Sequence, residues 1–378
     1  MAHSQDRPRI LSDRLVAELV DEIGGKNLSV GFRTKELAAL RSIASSSTPL
    51  GPEFGITLLS IAPDRWMEKD FRIQKRVVKV SDSESVSNYM SLEADRSEIL
   101  LGAEMAGLRR VLHRSLADLT LWREENRIIS EDLAWLSTMI SLKEDRFKIR
   151  QPKHNELMAL QNSRSLNEAL LLNASNRINL AEFRVHRLLN QESNQITRTV
   201  ILPRPFGLVD FSTNLVLAAA EGSFEILLLL NGLDLAAIEL NGDKSPKSSA
   251  RMKEALQLRV ADARSRLAER VMTLSIEIAN RGRLIGAYRD EIQLRGQESV
   301  ASAMSLWEVN RGSLDEVLRE RRKLIADQLE LVRQTIQQQK ALADLLYLCG
   351  RRTLLDLHKR TREISSRPQS GEKKDKSK

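Results

Sequence analysis

Three scarcities bound this chain before any motif is read. Aromatic residues make up 4% of it, and proline and glycine number only 9 and 17 in 378 residues. Such a chain, rich in Leu, Ala, Glu, Arg and Ser, has the composition of long helices and coiled coils. Cysteine occurs once, as Cys349, which excludes an intramolecular disulfide and a cysteine zinc cluster. In ADLLYLCG it closes an apolar helix end, where a small buried residue is expected rather than a nucleophile. The 5 histidines are scattered and no pair has metal-ligand spacing. No catalytic residue, cofactor or metal ligand is therefore nominated. Long apolar runs are lacking too. FEILLLLNGLDLAAIEL (224–240) is broken by Asn231 and Asp234 and is too short to span a bilayer. The opening stretch MAHSQDRPRILSDRL is polar, without the apolar core of a signal peptide.

Charge is plentiful by contrast, at 29% of residues. The net charge is +8, but a block of it sits in the tail SGEKKDKSK (370–378), and the remainder is interleaved with acids. That pattern reads as a solvated helical surface, with no nucleic-acid partner expected. Within this charged background, LWEVNRGSLDEVL (306–318) sets a Gly-Ser pair between two long leucine-rich stretches. Gly and Ser break helices, so the pair marks the tip of a helical hairpin. Ser313 followed by Glu316 completes a capping-box pattern.

The tip has a counterpart. IRQPKHNELMALQ (149–161) lies over VNRGSLDEVLRER (309–321) at a constant offset of 160, which sets Phe147 over Trp307 and Glu156 over Glu316. The register continues with Leu171 over Leu331, Ala181 over Ala341 and Leu188 over Leu348. Upstream, SDRLVAELV (12–20) matches STNLVLAAA (212–220) at an offset of 200. The difference between the offsets is 40 residues, present in the first unit between about 40 and 84 and absent from the second. Two helix–tip–helix units thus stand in tandem, and only the first has room for a strand pair.

The expected organisation follows. An N-terminal short helix covers 1–45 and a reduced β-hairpin 46–83, with strands at 54–61 and 71–80 separated by Pro63 and Asp64. A first long helical hairpin covers 84–191, and a linker and equatorial helix 192–248. A second long hairpin covers 249–362, and 363–378 form a disordered basic tail. Single helices are expected over 12–45, 84–149, 154–191, 210–240, 249–309 and 314–362, with Asn155 capping the second hairpin limb. A helix of about sixty residues spans roughly 90–100 Å at 1.5 Å per residue, longer than any compact domain.

The returning helices carry a 3.5-residue period. Leu157, Leu160, Leu171, Ala174, Ile178, Ala181, Val185 and Leu188 make one seam. In the second unit Leu314, Val317, Leu324 and Leu331 make a seam, and Leu318, Ile325 and Val332 make another beside it. A helix with two adjacent seams wants a neighbour on each side, as in a sheet or cylinder of helices. A simple antiparallel coiled-coil rod is the other arrangement this period allows.

These residues carry a resemblance. WEVNRGSLDEVLRERRKLIADQLELVRQTIQQQKALADLLYLCG, and the run from RFKIRQPKHNELMALQ to FRVHRLLN, resemble the tips and returning helices of the TolC family of outer membrane efflux proteins. TPLGPEFGITLLSIAPDRWMEKDFRIQKRVV is similar to that family's first strand pair, nearest its heavy-metal-type branch. The resemblance covers roughly residues 12–350. It implies a mainly α fold in which two tandem long antiparallel helical hairpins form an α-barrel as a homotrimer, with a reduced β-strand region. It implies a periplasmic and outer-membrane exit duct that docks on a periplasmic adaptor and an inner-membrane pump, and no enzyme. The reduced strand pair, with Arg72, Lys75, Arg76 and Lys79, leaves a soluble coiled-coil scaffold as the alternative.

The candidate site residues sit at the tips: Arg150, Lys153, Asn155 and Glu156 in the first unit, and Arg311, Gly312, Ser313, Asp315 and Glu316 in the second. They read either as an adaptor-docking and gating rim or as ordinary turn and capping chemistry. Trp122, Trp135 and Trp307 are expected to pack, and Arg319, Arg322 and Lys323 of RERRKL to lie on a solvated face.

Overall fold

A computed structural model describes residues 9–24, 27–45, 56–63, 71–78, 83–147, 154–189, 200–201, 213–241, 246–309 and 311–366. Strand β1 (Arg9–Ile10) leads into helices α1 (Asp13–Gly24) and α2 (Leu28–Ser45), then the strands β2 (Ile56–Pro63) and β3 (Phe71–Val78). Helix α3 (Ser83–Phe147) and helix α4 (His154–Leu189) are the limbs of the first hairpin. Strand β4 (Val200–Ile201) pairs in parallel with β1, and helices α5 (Thr213–Gly222) and α6 (Phe224–Asn241) follow. The second hairpin rises as α7 (Pro246–Ala287), a π-helical turn (Tyr288–Ile292) and α8 (Gln293–Glu308). It returns as α9 (Leu314–Leu348), and α10 (Leu354–Ser366) closes the described chain.

The repeat is visible in the element starts, with α1 at Asp13 against α5 at Thr213 and α4 at His154 against α9 at Leu314. Residues 40–84 of the first unit hold β2 and β3, paired antiparallel from Ile56 opposite Val78 to Pro63 opposite Phe71. In the second unit only residues 242–245 separate α6 from α7, too few for a second strand pair. Among the described residues no single helix is long and apolar enough to cross a membrane.

Several expected helices are shorter than the sequence suggested. The single helix over 12–45 is two, because Asn27 accepts hydrogen bonds from the backbone N–H of Ser29 and Val30 and starts α2 afresh. The helix over 210–240 is bent by 52° at the buried Ser223. The helix over 314–362 ends at Leu348 and resumes at Leu354, and the helix over 249–309 contains the π turn. Pro63 belongs to β2 instead of following it, a position at a strand end where its missing N–H costs little. The turn at 150–153 and the tail beyond 366 lie outside the described residues.

The long helices lie side by side in the order α4, α3, α9, then α7 and α8. One seam of α9, with Val332 and Ile336, packs with Leu112, Leu116 and Ile128 of α3 and with Val185 of α4. The other face of α9, with Leu342, Leu345 and Leu346, packs with Leu267, Val271 and Ile278 of α7. The paired seams of α9 therefore do face two neighbours. Charged bridges lock the α3–α9 join, since Asp344 takes both Arg110 at 2.6 Å and Arg114 at 2.7 Å.

The π turn resolves a mismatch of period. Val271, Ile278 and Ile285 are buried at strict seven-residue spacing, which continued through 292 and 299 would bury position 306. Leu306 is 43% exposed and Trp307 only 6%, so the wide turn has absorbed one residue.

Candidate functional site

At the far end of the array the two hairpin tips share one small core. Leu136, Met139 and Ile140 of α3, Leu160 of α4, Trp307 of α8 and Leu314 and Val317 of α9 are buried together. The second tip is built by local chemistry. The backbone N–H groups of Arg311 and Gly312 both donate to the Leu306 carbonyl, at 2.8 and 3.0 Å. A Cβ on Gly312 would stand 3.0 Å from Leu306 Cβ and 3.2 Å from the Trp307 nitrogen, so the turn folds back tightly against its own helix. Ser313 is extended (φ −105°, ψ 149°), and its Oγ accepts the Glu316 N–H at 3.2 Å, capping α9.

The nominated tip residues divide into three groups. Arg311, Ser313 and Asp315 are exposed on the second tip, and Glu316 turns its carboxylate to Arg319 at 3.4 Å. Glu156 instead pairs with Lys143 across the first hairpin, and the Lys143 ammonium sits 5.6 Å from the centre of the Trp307 ring. Glu156 is thus a clasp between limbs rather than a member of an exposed rim. Asn155 is exposed but falls inside α4, which begins at His154, so it is not the cap that was expected. Arg150 and Lys153 lie outside the described residues.

The tryptophans pack under cations. Arg177 covers Trp122 at 4.5 Å and Arg321 covers Trp135 at 5.2 Å. Arg319, Arg322 and Lys323 are exposed. Cys349 is fully buried, and burial pushes its thiol up to about 12, far from a reactive thiolate. Among the described residues no group of three His, Cys, Asp or Glu side chains could hold a metal ion.

What sequence reasoning missed is the state of the two outer helices. Helix α4 exposes Met158, Leu172 and Phe183, and helix α7 exposes Leu258, Met272 and Ile276. At 3.6 residues per turn each trio falls on the side of its helix opposite the buried seam. The seam of α4 is Leu160, Ala174, Ala181 and Val185, and that of α7 is Val260, Ala263, Leu267 and Val271. The array therefore ends on both sides in exposed apolar side chains with no partner among the described residues. The signal was present as further apolar residues off the seam, Leu172 and Phe183 among them.

No protein-family model matches the chain, and no curated protein matches it by sequence. Its fold is nonetheless that of solved bacterial membrane proteins, channels among them. A membrane protein from Pseudomonas aeruginosa superimposes with a TM-score of 0.63 and 13% identity, over 90% of this chain and 91% of that one. The transmembrane channel protein CusC gives 0.61 and 13%, over 91% and 94%. The Campylobacter jejuni outer membrane channel CmeC gives 0.60 and 12%, over 97% and 94%.

Proposed function

We propose that this chain is a TolC-family exit duct, with three copies closing their helical arrays into one tube in the periplasm and outer membrane. The observation that carries the reading is the pair of exposed apolar edges on α4 and α7, without partners among the described residues. An array of hairpins with a bare stripe on each side can satisfy both by joining copies head to tail into a ring. The likeness to channel folds over nearly the whole chain supports the same geometry. TPLGPEFG (48–55) is the reason for placing it nearest the heavy-metal-type branch. The role is conduction without covalent chemistry, with an inner-membrane pump choosing the cargo.

In that tube the polar tips converge at one end, where Arg150, Lys153, Asn155, Arg311, Gly312, Ser313, Asp315 and Glu316 would meet a periplasmic adaptor. Exposed ion pairs there contribute only about 0–1 kcal/mol each, which suits a gate that a partner opens. Light scattering on the purified chain tests the assembly. A trimer is expected, and Leu172→Asp with Leu258→Asp should reduce it to a folded monomer. Asp315→Arg should leave the trimer intact and change antibiotic leak or adaptor docking in cells. An unaltered chain that is monomeric, with Asp315→Arg silent, would leave a coiled-coil scaffold in its place.

A further inference from the structure

Helix α3 is flanked on one face by α4 and α9, which run parallel to each other and leave a groove between them. It encloses about 400 Å³, within the range of sites that hold drug-sized ligands, roughly 300–1,000 Å³. Its apolar surface comes from Ile129 and Leu136 of α3, Leu166 and Leu170 of α4, and Leu318 and Leu329 of α9. Leu166 and Leu170 are 62% and 42% exposed there, and they sit about a quarter turn from the α4 seam, on neither its buried nor its edge side.

The charges of the groove are unequally committed. Asp132 is held by Asn167 at 2.6 Å and Arg321 at 2.9 Å, and Glu125 by Arg333 at 3.3 Å. Both carboxylates are therefore neutralised inside the wall. Two more guanidinium groups line the groove, and among the described residues neither has an ion pair. Arg322 donates to Ser163 Oγ at 2.9 Å, and Arg177 lies on the Trp122 ring. Ser163 and Arg177 are fourteen residues apart on α4, so the two cations mark opposite ends of a slot about 21 Å long at 1.5 Å per residue.

We propose that this groove binds an elongated amphipathic anion, an acyl-type chain with one acidic head group. The chain lies along Leu166, Leu170, Leu318 and Leu329, and the head group is held by Arg177 or Arg322. A guanidinium without a carboxylate is the group that such a head would pair with, and the half-bare leucines are the surface that its chain would cover. The site lies within one chain, so it stands apart from the duct reading and does not depend on assembly.

The test is a titration of the full-length protein, free of ionic detergent, with the fluorescent fatty carboxylate cis-parinarate. One saturable site per chain is expected, displaced by dodecylsulfonate but not by a dodecyl trimethylammonium salt. Arg177→Gln with Arg322→Gln should weaken binding by about tenfold or more, and the single variants should show which end holds the head group. Leu170→Gln, at an exposed position that folding does not need, should weaken it as well, while Arg264→Gln on α7 should not. Circular dichroism confirms that each variant is folded. Absence of saturable binding, equal displacement by the cation, or full affinity in both the double arginine and Leu170→Gln variants would overturn the proposal.

Discussion

Gly222 and Gly350 meet backbone to backbone, although they stand near opposite ends of the second repeat. A Cβ on Gly350 would stand 2.0 Å from the Gly222 carbonyl oxygen, and a Cβ on Gly222 would stand 2.2 Å from the Cys349 carbonyl oxygen. Gly350 is left-handed, with φ 60°. Its N–H donates to the Tyr347 carbonyl at 3.1 Å, and the Arg351 N–H donates to the Leu346 carbonyl at 3.0 Å. That paired pattern is a Schellman end to α9. The bend between α5 and α6 rests on this helix terminus.

Gly350→Ala should therefore be among the most damaging single-methyl additions in the chain. The left-handed conformation costs a non-glycine residue about 1–2 kcal/mol, and overpacking against a fixed backbone adds about 1–3 kcal/mol. Thermal unfolding followed by circular dichroism should show a clear fall in Tm. Gly107→Ala, where a Cβ meets nothing within 4 Å, should be neutral or slightly stabilising. Equal Tm values for the two variants would show that the close approach is not made.

The clasp between Lys143 and Glu156 joins the limbs of the first hairpin while touching the second hairpin through Trp307. Their side chains are only 13% and 16% exposed, so removing Glu156 leaves the Lys143 charge in a partly dry site. Lys143→Met and Glu156→Gln singly should each destabilise the tip, and the double variant should lose less than the sum. A double-mutant cycle by urea denaturation should give a coupling of about 1–2 kcal/mol, above the surface-pair range. A coupling indistinguishable from zero would reassign the pair to solvent-exposed decoration.

His113 is buried between α3 and α9, with Nε2 3.2 Å from Gln339 Oε1. Burial lowers its pKa below the ordinary 6.5, outweighing the opposing influence of Gln339, Asp13 and Asp344. The unfolded chain then takes up a proton before the folded one does. Stability contributed by neutral His113 is present above the unfolded value and is lost as pH falls below about 6.5. The limiting slope for one proton is about 1.4 kcal/mol per pH unit, and His113→Gln should flatten it. An identical pH–stability curve for that variant would exclude His113 as the linked group.

The hairpins and both α9 seams were legible because they rest on period alone. Val317, Leu318, Leu324 and Val332 repeat at helical spacing whether or not the neighbours are known. The breaks are legible in principle by the same signs that mark the second tip. Gly24-Gly25-Lys26-Asn27, Gly222-Ser223 and Cys349-Gly350 carry the same breaker chemistry as Gly312-Ser313. The parallel pairing of Arg9–Ile10 with Val200–Ile201 spans two residues on each side and has no pattern to find. The clasp from Lys143 to Glu156 and Trp307 needs the register between hairpins, which no single helix encodes.

The π turn gives the second hairpin a property that the first limb's unbroken helix lacks. A chain that carries one surplus residue inside a helix can give it back. Deleting Asp290, a solvent-facing position in that turn, should let the segment relax to ordinary α-helix with Trp307 still in its pocket, and with Tm within a few degrees of the parent. The same deletion at Glu330 in α9 has no such slack and should rotate everything beyond it by about 100°, with a large loss of stability. In evolutionary terms the turn is a length allowance. A helical array of this design can gain or lose single residues there while its distant tip keeps its shape.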